Sequence, residues 1–541
     1  METRPWLKNY PELMDFDYPR LSLYHYLKRT ADQYPEQTAL IFNQERISYR
    51  EMMAGIDGMA AVFAEMGLKK GDRVAIAIPN NPAYVYSYFG ALRQGLVVVQ
   101  INPLLTPKEL SFIVRDTKAK VLVIADIMFY MVEEAMLGDA FQKIIIAPLS
   151  GEKIEADVLY LDELLQQARP EPPAVPIDPE EDLAVLQYTS GTTGFPKGAM
   201  LTHANLVSNA EMMLQVLQEW KKRLGDKEVL FLAPMPFFDT YGLTCCLNAG
   251  LNIPAGQILV PFIDVDMILD LINQYKPAVL PGVPELFLEM LNHPEIEKYD
   301  LGSLDVCISG DSPMPVEALE LFEEKTGCSI LEGYGLAEAS PISHCNPLLG
   351  VRKPGSVGLP CPGADCKIVD LDTGEQELPP GEAGELIIKG PHVMKGYWNL
   401  PNKTVRAMRN GWLYTGDIAR MDEDGYFYII DRKFNMINYA GYKIFPREVE
   451  AAIQEHPGVA EAVCIGVPEK HFGEVIKAYV VLKDKVAVTP EEIIDFCRSK
   501  LVKYKVPRQV EIRSELPKSV FGKVLRHNLI MEEQRRLLLG E

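Results

Sequence analysis

Apolar residues in the first half of the chain fall into short unbroken runs that alternate with segments of helical periodicity. Five of these runs are predicted as strands: residues 38–42, 74–78, 97–99, 121–124 and 143–146. Residues 49–66 and 84–95 carry apolar side chains at the spacing of an amphipathic helix. Unbroken apolar strands separated by helices are typical of a parallel sheet covered on both faces, so this half predicts an α/β fold.

From residue 170 onward the sequence pattern changes at three places. A proline-rich stretch at 170–179 is typical of a surface connector, and the alternation then resumes until about residue 340. Residues 354–396 are dense in glycine and proline, with short strand patterns at 366–369 and 385–388. A helix pattern at 446–454 opens the last part of the chain, which ends in a charged helix.

These changes predict a large N-terminal domain and a small C-terminal one. The predicted boundaries are 1–431 for the N-terminal domain, with α/β subdomains at about 1–175 and 176–345 and a small β-barrel-like unit at 346–431, and 435–541 for an α+β C-terminal domain.

Composition narrows the class of protein. A length of 541 residues is too great for a single core, and the formal net charge of −21 argues against a nucleic-acid partner. Nine cysteines without a C-x-x-C pair indicate reduced thiols in a cytoplasmic protein. We expect no secretory signal and no transmembrane segment, although a greasy substrate would favour a peripheral membrane contact. The acidic composition is compatible with a homodimer.

One segment after the apolar stretch 183–187 has the composition of a phosphate-binding loop. It reads Tyr188-Thr189-Ser190-Gly191-Thr192-Thr193-Gly194-Phe195-Pro196-Lys197-Gly198. Glycines and hydroxyl residues let successive backbone N–H groups turn towards one anion, and Lys197 adds positive charge. The segment is not a Walker A loop, because Pro196 stands where a glycine is needed and Gly198 where a Ser or Thr would hold magnesium.

Four further motifs follow in order. They are Gly333-Tyr334-Gly335-Leu336-Ala337-Glu338, Tyr414-Thr415-Gly416-Asp417, Asp431-Arg432-Lys433 and Pro517-Lys518-Ser519-Val520-Phe521-Gly522-Lys523. Together with the loop they resemble, in order and spacing, the motifs of the AMP-forming adenylating enzymes: acyl-CoA synthetases, luciferases and peptide-synthetase adenylation domains. The linking segment 391–398 also resembles bacterial long-chain fatty-acid–CoA ligases.

The resemblance implies an ATP-dependent acid–CoA ligase. A carboxylate would attack the α-phosphate of ATP, and the thiol of coenzyme A would then take the acyl group from the acyl-adenylate. Two anions meet in the first step, so catalysis must depend mainly on positioning and charge neutralisation. The expected substrates are a medium- to long-chain fatty acid, ATP and CoA, with Mg²⁺ as the metal.

The resemblance also implies roles for individual residues. The implied catalytic residues are Lys523, Glu338, Lys197 and Thr189, with Glu338 and Thr189 holding Mg²⁺. The implied ATP- and AMP-binding residues are Thr189, Ser190, Gly191, Thr192, Thr193, Gly194, Lys197, Gly310, Asp311, Ser312, Glu332, Gly333, Tyr334, Gly335, Ala337, Glu338, Asp417, Ile429, Arg432 and Lys523. The implied acyl-binding residues are Phe238, Asp239, Tyr241, Gly242 and Gly335.

The C-terminal domain is implied to act as a mobile lid. It would rotate about a hinge at Phe434, bringing Lys523 to the α-phosphate in one pose and opening a CoA channel in the other. The implied CoA contacts are Gly441, Tyr442 and Lys443.

Several positions depart from the family pattern close to the chemistry. They are Asp239 for a common His, Ala337 for Thr or Ser, Phe434 for a polar hinge residue, Asn435 for an acid, Ala440 for Gly and Phe521 for Ser or Thr. They leave rate, hinge behaviour and substrate choice open.

Three alternatives follow. One is an enzyme that passes the acyl group to a carrier protein, and another is a binding protein that has lost catalysis. The third is an amino-acid substrate held by Asp239, which the apolar neighbours Phe237, Phe238 and Leu243 disfavour.

Overall fold

The computed structural model describes residues 4–8, 16–168, 171–189, 196–224, 229–440, 442–469, 471–483, 486–518 and 524–539. The chain divides into two units. Unit 1 comprises Met1–Cys366, Ile388–Tyr414 and Asp424–Tyr426, and unit 2 comprises Lys367–Ile387, Thr415–Glu423 and Phe427–Glu541.

The helices and strands are given in chain order. The helices are α1 Leu23–Gln33, α2 Tyr49–Glu65, α3 Pro82–Arg93, α4 Pro107–Thr117, α5 Tyr130–Glu134, α6 Leu161–Gln167, α7 His203–Val216, α8 Gln218–Leu224, α9 Val265–Tyr275, α10 Pro284–Asn292, α11 Val316–Thr326, α12 Pro401–Ala407, α13 Pro446–Gln454, α14 Pro490–Lys500 and α15 Arg526–Leu539. The first strands are β1 Thr38–Phe42, β2 Glu45–Ser48, β3 Arg73–Ala77, β4 Val97–Gln100, β5 Val121–Ala125, β6 Lys143–Ala147, β7 Leu159–Tyr160, β8 Leu183–Thr189, β9 Lys197–Thr202, β10 Val229–Ala233, β11 Ala255–Leu259, β12 Val279–Gly282, β13 Val306–Ser309, β14 Ser329–Gly335, β15 Ile342–Cys345 and β16 Leu359–Pro360. The remaining strands are β17 Asp365–Val369, β18 Ala383–Lys389, β19 Gly396–Tyr397, β20 Met408–Arg409, β21 Trp412–Met421, β22 Phe427–Arg432, β23 Ile437–Tyr439, β24 Tyr442–Ile444, β25 Val459–Glu469, β26 Gly473–Leu482 and β27 Gln509–Arg513.

Two large sheets organise unit 1. The eight-stranded sheet has the order β19-β9-β8-β4-β3-β5-β6-β7, and the nine-stranded sheet has the order β16-β15-β14-β13-β12-β10-β11-β1-β2. Central neighbours run parallel, as β3 does beside β4 and β5. Strands such as β5 are buried at every position, which explains their unbroken apolar sequence. The α/β class predicted from the sequence is confirmed.

Neither sheet is built from one continuous part of the chain. β1 from the N-terminal region pairs in parallel with β11 of the nine-stranded sheet, and β8 pairs in parallel with β4 of the eight-stranded sheet. The domain boundary near residue 175 stays a prediction, because the sheets do not follow one another along the chain.

A hairpin of β8 and β9 presents the predicted phosphate loop. Antiparallel pairing runs from Leu183 opposite Thr202 to Thr189 opposite Lys197. β8 is buried in its central positions and partly exposed at its last two residues, Tyr188 and Thr189. The loop residues Ser190, Gly191, Thr192, Thr193 and Gly194 lie outside the described residues.

Unit 2 contains an α+β core and a hairpin. Its sheet has the order β24-β23-β26-β25, with β27 parallel to β26, and it packs with α13 and α14 around buried residues such as Val449 and Ile493. β21 and β22 pair antiparallel and place Asp417 opposite Arg432. They belong to a five-stranded sheet that is open within the described residues, where the sequence predicted a barrel-like part. Among the described strands β22 is paired with β21 alone, so the sheet does not close on itself.

Two bulk predictions can be compared with the structure. None of the helices in the described ranges combines the length and the apolar character needed to cross a bilayer. All nine cysteines are buried and none is in a disulfide, and the reduced state expected from their spacing stays a prediction.

Candidate functional site

Lys197 and Glu338 come together at the side chain of Tyr397 in unit 1. The Tyr397 hydroxyl donates to Glu338 Oε1 at 2.7 Å. Lys197 Nζ donates to the same hydroxyl oxygen at 3.4 Å and lies 4.5 Å from the centre of the tyrosine ring. The sequence analysis missed Tyr397, although it lies in the segment 391–398 that carried part of the resemblance.

Thr189 stands beside Lys197 at the same end of the β8–β9 hairpin. It pairs with Lys197 across β8 and β9, and its hydroxyl lies 3.5 Å from the Lys197 carbonyl oxygen. Residues 190–195 connect these strands in the sequence, and this connection is flanked by the Thr189 hydroxyl and the Lys197 ammonium. This arrangement suits a polyanion.

The turn that carries Glu338 is bound from three directions. Glu338 lies with Ala337 in the single helical turn Ala337–Ala339, and its carbonyl accepts the Met394 N–H at 2.8 Å. The Ser340 hydroxyl donates to the His392 carbonyl at 2.8 Å, and the Thr244 hydroxyl donates to the Ser340 carbonyl at 2.6 Å. These bonds fix the backbone of the turn from which the Glu338 side chain projects.

Burial shifts the pKa values of two side chains around this turn. It lowers the pKa of His392 to about 3, so that ring is neutral at ordinary pH. Burial, together with the adjacent Glu338 carboxylate, raises the pKa of Tyr397 well above its usual range, so its hydroxyl stays protonated. Glu338 thus faces a neutral hydroxyl donor.

The predicted nucleotide residues Gly333, Tyr334 and Gly335 form the C-terminal end of β14. Gly333, Tyr334 and Gly335 pair antiparallel with β15, and the half-buried Tyr334 ring lies 5.8 Å from the His344 ring. Glu332 is 7% exposed, and its carboxylate accepts the Gly355 N–H at 2.9 Å.

The loop after β13 contains the predicted residues Gly310, Asp311 and Ser312. Asp311 has a positive φ of 70°. The Ser312 hydroxyl donates to Glu285 Oε1 at 3.2 Å, so it is already engaged by a protein carboxylate.

The predicted acyl-binding residues adjoin the same loop. The Tyr241 hydroxyl donates to the carbonyls of Gly282 and Ile308 at 3.1 and 2.8 Å. A Cβ atom at Gly310 would lie 3.5 Å from the Tyr241 ring. The nucleotide and acyl segments predicted from the sequence are therefore neighbours in unit 1.

Gly242 begins a buried π-helical segment, Gly242–Asn248. A Cβ atom there would lie only 2.2 Å from the Pro236 carbonyl oxygen, so only glycine fits. Phe238 is buried, whereas Asp239 is exposed and its Oδ1 accepts the Tyr241 N–H at 2.8 Å. Segments of π-helix occur frequently at functional sites.

The remaining predicted residues that the structure describes form a group in unit 2. Arg432 Nε lies 3.0 Å from Asp417 Oδ1, and Asp417 is buried while Arg432 is half-exposed. Ile429 pairs with Ala419 across the same hairpin. The predicted Lys523 lies outside the described residues.

The predicted hinge lies in the helical turn Lys433–Asn435. Phe434 is 44% exposed, and buried Asp431 accepts the Arg432 N–H at 2.6 Å and the Asn435 side-chain amide at 2.8 Å. Both ends of the turn are thus attached to one carboxylate, which leaves Phe434 between them.

Of the predicted CoA residues, Tyr442 and Lys443 are described. Lys443 pairs with Asp372, and the Tyr442 ring stacks on Tyr504 with centroids 4.5 Å apart. Gly441 lies outside the described residues.

Comparison with known proteins identifies the family of this chain. The model of the AMP-binding enzyme family matches residues 27–398, and that of the AMP-binding enzyme C-terminal domain matches residues 448–523. The chain therefore belongs to the AMP-binding enzyme family, as an AMP-forming acyl-CoA ligase, which confirms the fold and enzyme class predicted from its motifs.

Individual relatives match over almost their whole length. A long-chain-fatty-acid–CoA ligase of Bacillus subtilis is 42% identical, with 98% of each chain covered. ATP-bound MatB from Rhodopseudomonas palustris has a TM-score of 0.85 at 30% identity, covering 96% of this chain and all of that one. The anthranilate CoA ligase AuaEII in complex with anthranoyl-AMP has a TM-score of 0.84 at 27% identity, covering 97% of this chain and all of that one.

Proposed function

We propose that this protein ligates a medium- to long-chain fatty acid to coenzyme A at the expense of ATP. In the first step a carboxylate oxygen bonds to the α-phosphorus, and the bond to pyrophosphate breaks. In the second step the CoA thiol, losing its proton, bonds to the acyl carbon, and AMP leaves with the carboxylate oxygen. ATP and CoA are the co-substrates of the family, and Mg²⁺ is part of the proposal.

One observation carries the proposal: Lys197 and Glu338 meet at Tyr397, beside the hairpin end that carries Thr189. A lysine can neutralise phosphate oxygens and donate to them, while a carboxylate can hold a hard cation. The lysine and the cation-binding carboxylate that would neutralise the triphosphate therefore lie at one place in the structure.

The residues present fit Mg²⁺ bound together with ATP. Magnesium usually takes one or two carboxylates plus phosphate oxygens and waters. The part of the chain that the structure describes contains no group of three or more His, Cys, Asp or Glu side chains that could hold a metal alone. Glu338 and the Thr189 hydroxyl would hold the ion, which when bound would neutralise charge on the departing pyrophosphate.

Each remaining group has a defined task in adenylation. Lys197 would donate to the β- and γ-phosphates, and the Tyr334 ring would lie on the adenine. Asp417 would accept both ribose hydroxyls while Arg432, 3.0 Å from Asp417 Oδ1, orients that carboxylate. Lys523 would approach the α-phosphate and the attacking carboxylate.

For the second step we propose rotation of the C-terminal domain about Phe434. The exposed side chain and the attachment of both turn ends to Asp431 support a pivot at this residue. Gly441, Tyr442 and Lys443 would then contact CoA.

The acyl segment favours an apolar acid. Phe238 is buried beside the π-helical segment, and the Asp239 carboxylate accepts a hydrogen bond within its own turn. That engagement weakens the alternative in which Asp239 binds an amino group. The Bacillus subtilis relative, whose name specifies a long-chain fatty acid, supports the same choice.

We place the protein in the cytoplasm, where reduced thiols and ATP are expected. The homodimer and the peripheral membrane contact expected from the sequence stay predictions.

The test is an assay of AMP and acyl-CoA with acids graded from butyrate to stearate, and with benzoate. We expect equal amounts of AMP and acyl-CoA, with the highest kcat/KM for medium- to long-chain acids. AMP formation that needs a carrier protein instead of CoA would support the alternative acceptor. Absence of acid-dependent exchange of pyrophosphate into ATP would indicate a binding protein that has lost catalysis.

A further inference from the structure

Tyr397 occupies a position that no motif assigns. It is 6% exposed and lies on the two-residue strand β19, opposite Ala199 of β9. The same side chain donates to Glu338 and receives the Lys197 ammonium at its oxygen and over its ring. One residue therefore contacts both charged groups of the proposed phosphate site.

The backbone around Tyr397 is fixed by bonds on both sides. The Lys395 N–H donates to the Met200 carbonyl at 2.9 Å, and the Trp398 N–H donates to the Gly198 carbonyl at 2.8 Å. The Tyr397 N–H itself donates to the Thr404 hydroxyl at 2.9 Å. The tyrosine is thus held against β9, the strand that begins with Lys197.

A lysine and a glutamate that both face a triphosphate can form an ion pair with each other instead. Opposite charges attract strongly in a partly buried site, so Lys197 and Glu338 would pair with each other and neither would be presented to Mg²⁺ and phosphate. In the described residues they do not form an ion pair, and the tyrosine lies between them. Because Tyr397 donates to Oε1, the second oxygen of Glu338 stays available for a cation.

We propose that Tyr397 is a positioning residue that separates Lys197 from Glu338 and orients both towards Mg²⁺·ATP, an inference that rests on the proposed function. The Tyr397 hydroxyl donates to the Glu338 carboxylate and accepts from the Lys197 ammonium, while the Tyr397 ring makes a cation–π contact with the same ammonium. Tyr397 itself touches no reacting atom in this role.

The test compares Tyr397→Phe with the wild type in binding as well as in turnover. Calorimetry with ATP, without acid or CoA, should show the Kd for Mg²⁺·ATP raised about 10- to 100-fold, the effect of losing a hydrogen bond to a charged group. The Kd for ATP in EDTA should change by less than about threefold, because Glu338 then has no cation to hold and the phenylalanine ring still supports the Lys197 ammonium. In turnover, KM for Mg²⁺·ATP should rise more than kcat falls.

The matched control is Tyr26→Phe. Tyr26 is also buried, donates to the Glu211 carboxylate at 2.9 Å and has Arg29 over its ring, but it lies on α1, outside the proposed site. It should leave both Kd values unchanged. Thr404→Val, which removes the acceptor of the Tyr397 N–H, is the second variant and should shift the Mg²⁺·ATP Kd in the same direction by a smaller factor.

The outcomes separate this inference from the proposed function. A wild type that binds Mg²⁺·ATP and forms acyl-CoA, with Tyr397→Phe unchanged in Kd and KM, would overturn the role of Tyr397 alone. Equal weakening of ATP binding with and without Mg²⁺ would indicate a merely structural residue and would also overturn it. A wild type that does not bind Mg²⁺·ATP would overturn both.

Discussion

Replacing Glu332 with glutamine should make the stability of unit 1 less sensitive to pH. Burial is the main cause that raises the pKa of Glu332 to about 7; the Gly355 N–H opposes it and the charge of Glu323 adds to it. The carboxyl is 7% exposed, so solvent screens little of this effect. The glutamine carbonyl can still accept from Gly355, so the substitution removes mainly the buried charge.

The sign follows from where the proton is bound. Below about pH 4.5 the carboxyl is protonated in both the folded and the unfolded chain, and the charge costs nothing. Between 4.5 and 7 the folded chain keeps a proton that the unfolded chain has lost, so stability falls as the pH rises. Above 7 the loss is complete, and the difference between the two pKa values corresponds to about 3 kcal/mol.

Urea unfolding followed by tryptophan fluorescence measures the unfolding free energy of unit 1. All four tryptophans, Trp6, Trp220, Trp398 and Trp412, belong to unit 1. The unfolding free energy of Glu332→Gln minus that of the wild type should increase by about 3 kcal/mol between about pH 4.5 and pH 8. The control Glu289→Gln, an exposed carboxyl on α10, should show no such increase. A Glu332→Gln difference that is the same at both pH values would refute the reasoning.

Three further substitutions test other parts of the account. Lys523→Ala should slow adenylation far more than transfer from preformed acyl-adenylate to CoA, and equal slowing of both steps would contradict the two-pose hinge. Gly242→Ala would place its Cβ 2.2 Å from the Pro236 carbonyl oxygen and should lower the unfolding free energy by about 1–3 kcal/mol; an unchanged melting temperature would contradict that close contact. Asp417→Asn should raise KM for ATP about tenfold with a smaller change in kcat, and an unchanged KM would remove Asp417 from the ribose site.

Much of the secondary structure was predictable because its signals are local. Runs such as Val121–Ala125 are apolar at each residue because both faces of the strand are covered, and this pattern needs no knowledge of neighbours. The helix predicted at 446–454 has the observed bounds Pro446–Gln454. The proline at its first position marks the start.

The pairing that builds the site was not predictable in this way. β19 is two residues long and pairs with β9, about 200 residues earlier in the chain. So short a strand carries no periodicity, and nothing in the local sequence of Tyr397 indicates that it contacts both Lys197 and Glu338. The motif match named the two charged residues, whereas the group between them required three-dimensional coordinates.

The departures from the family pattern have uneven structural explanations. Asp239 is explained, because its carboxylate caps the turn before Gly242. Asn435 is explained by its amide, which donates to the buried Asp431. Nothing in the structure explains why alanine stands at Ala337.

The central claim is that a carboxylate displaces pyrophosphate from ATP, and isotope transfer tests it most directly. Palmitate labelled with oxygen-18 in its carboxyl group is incubated with the protein, Mg²⁺, ATP and CoA, and the nucleotide product is analysed by mass spectrometry. We expect AMP carrying one labelled oxygen for each acyl-CoA formed, since that oxygen bridges carbon and phosphorus in the adenylate. Unlabelled AMP, or label in inorganic phosphate accompanied by ADP, would contradict it.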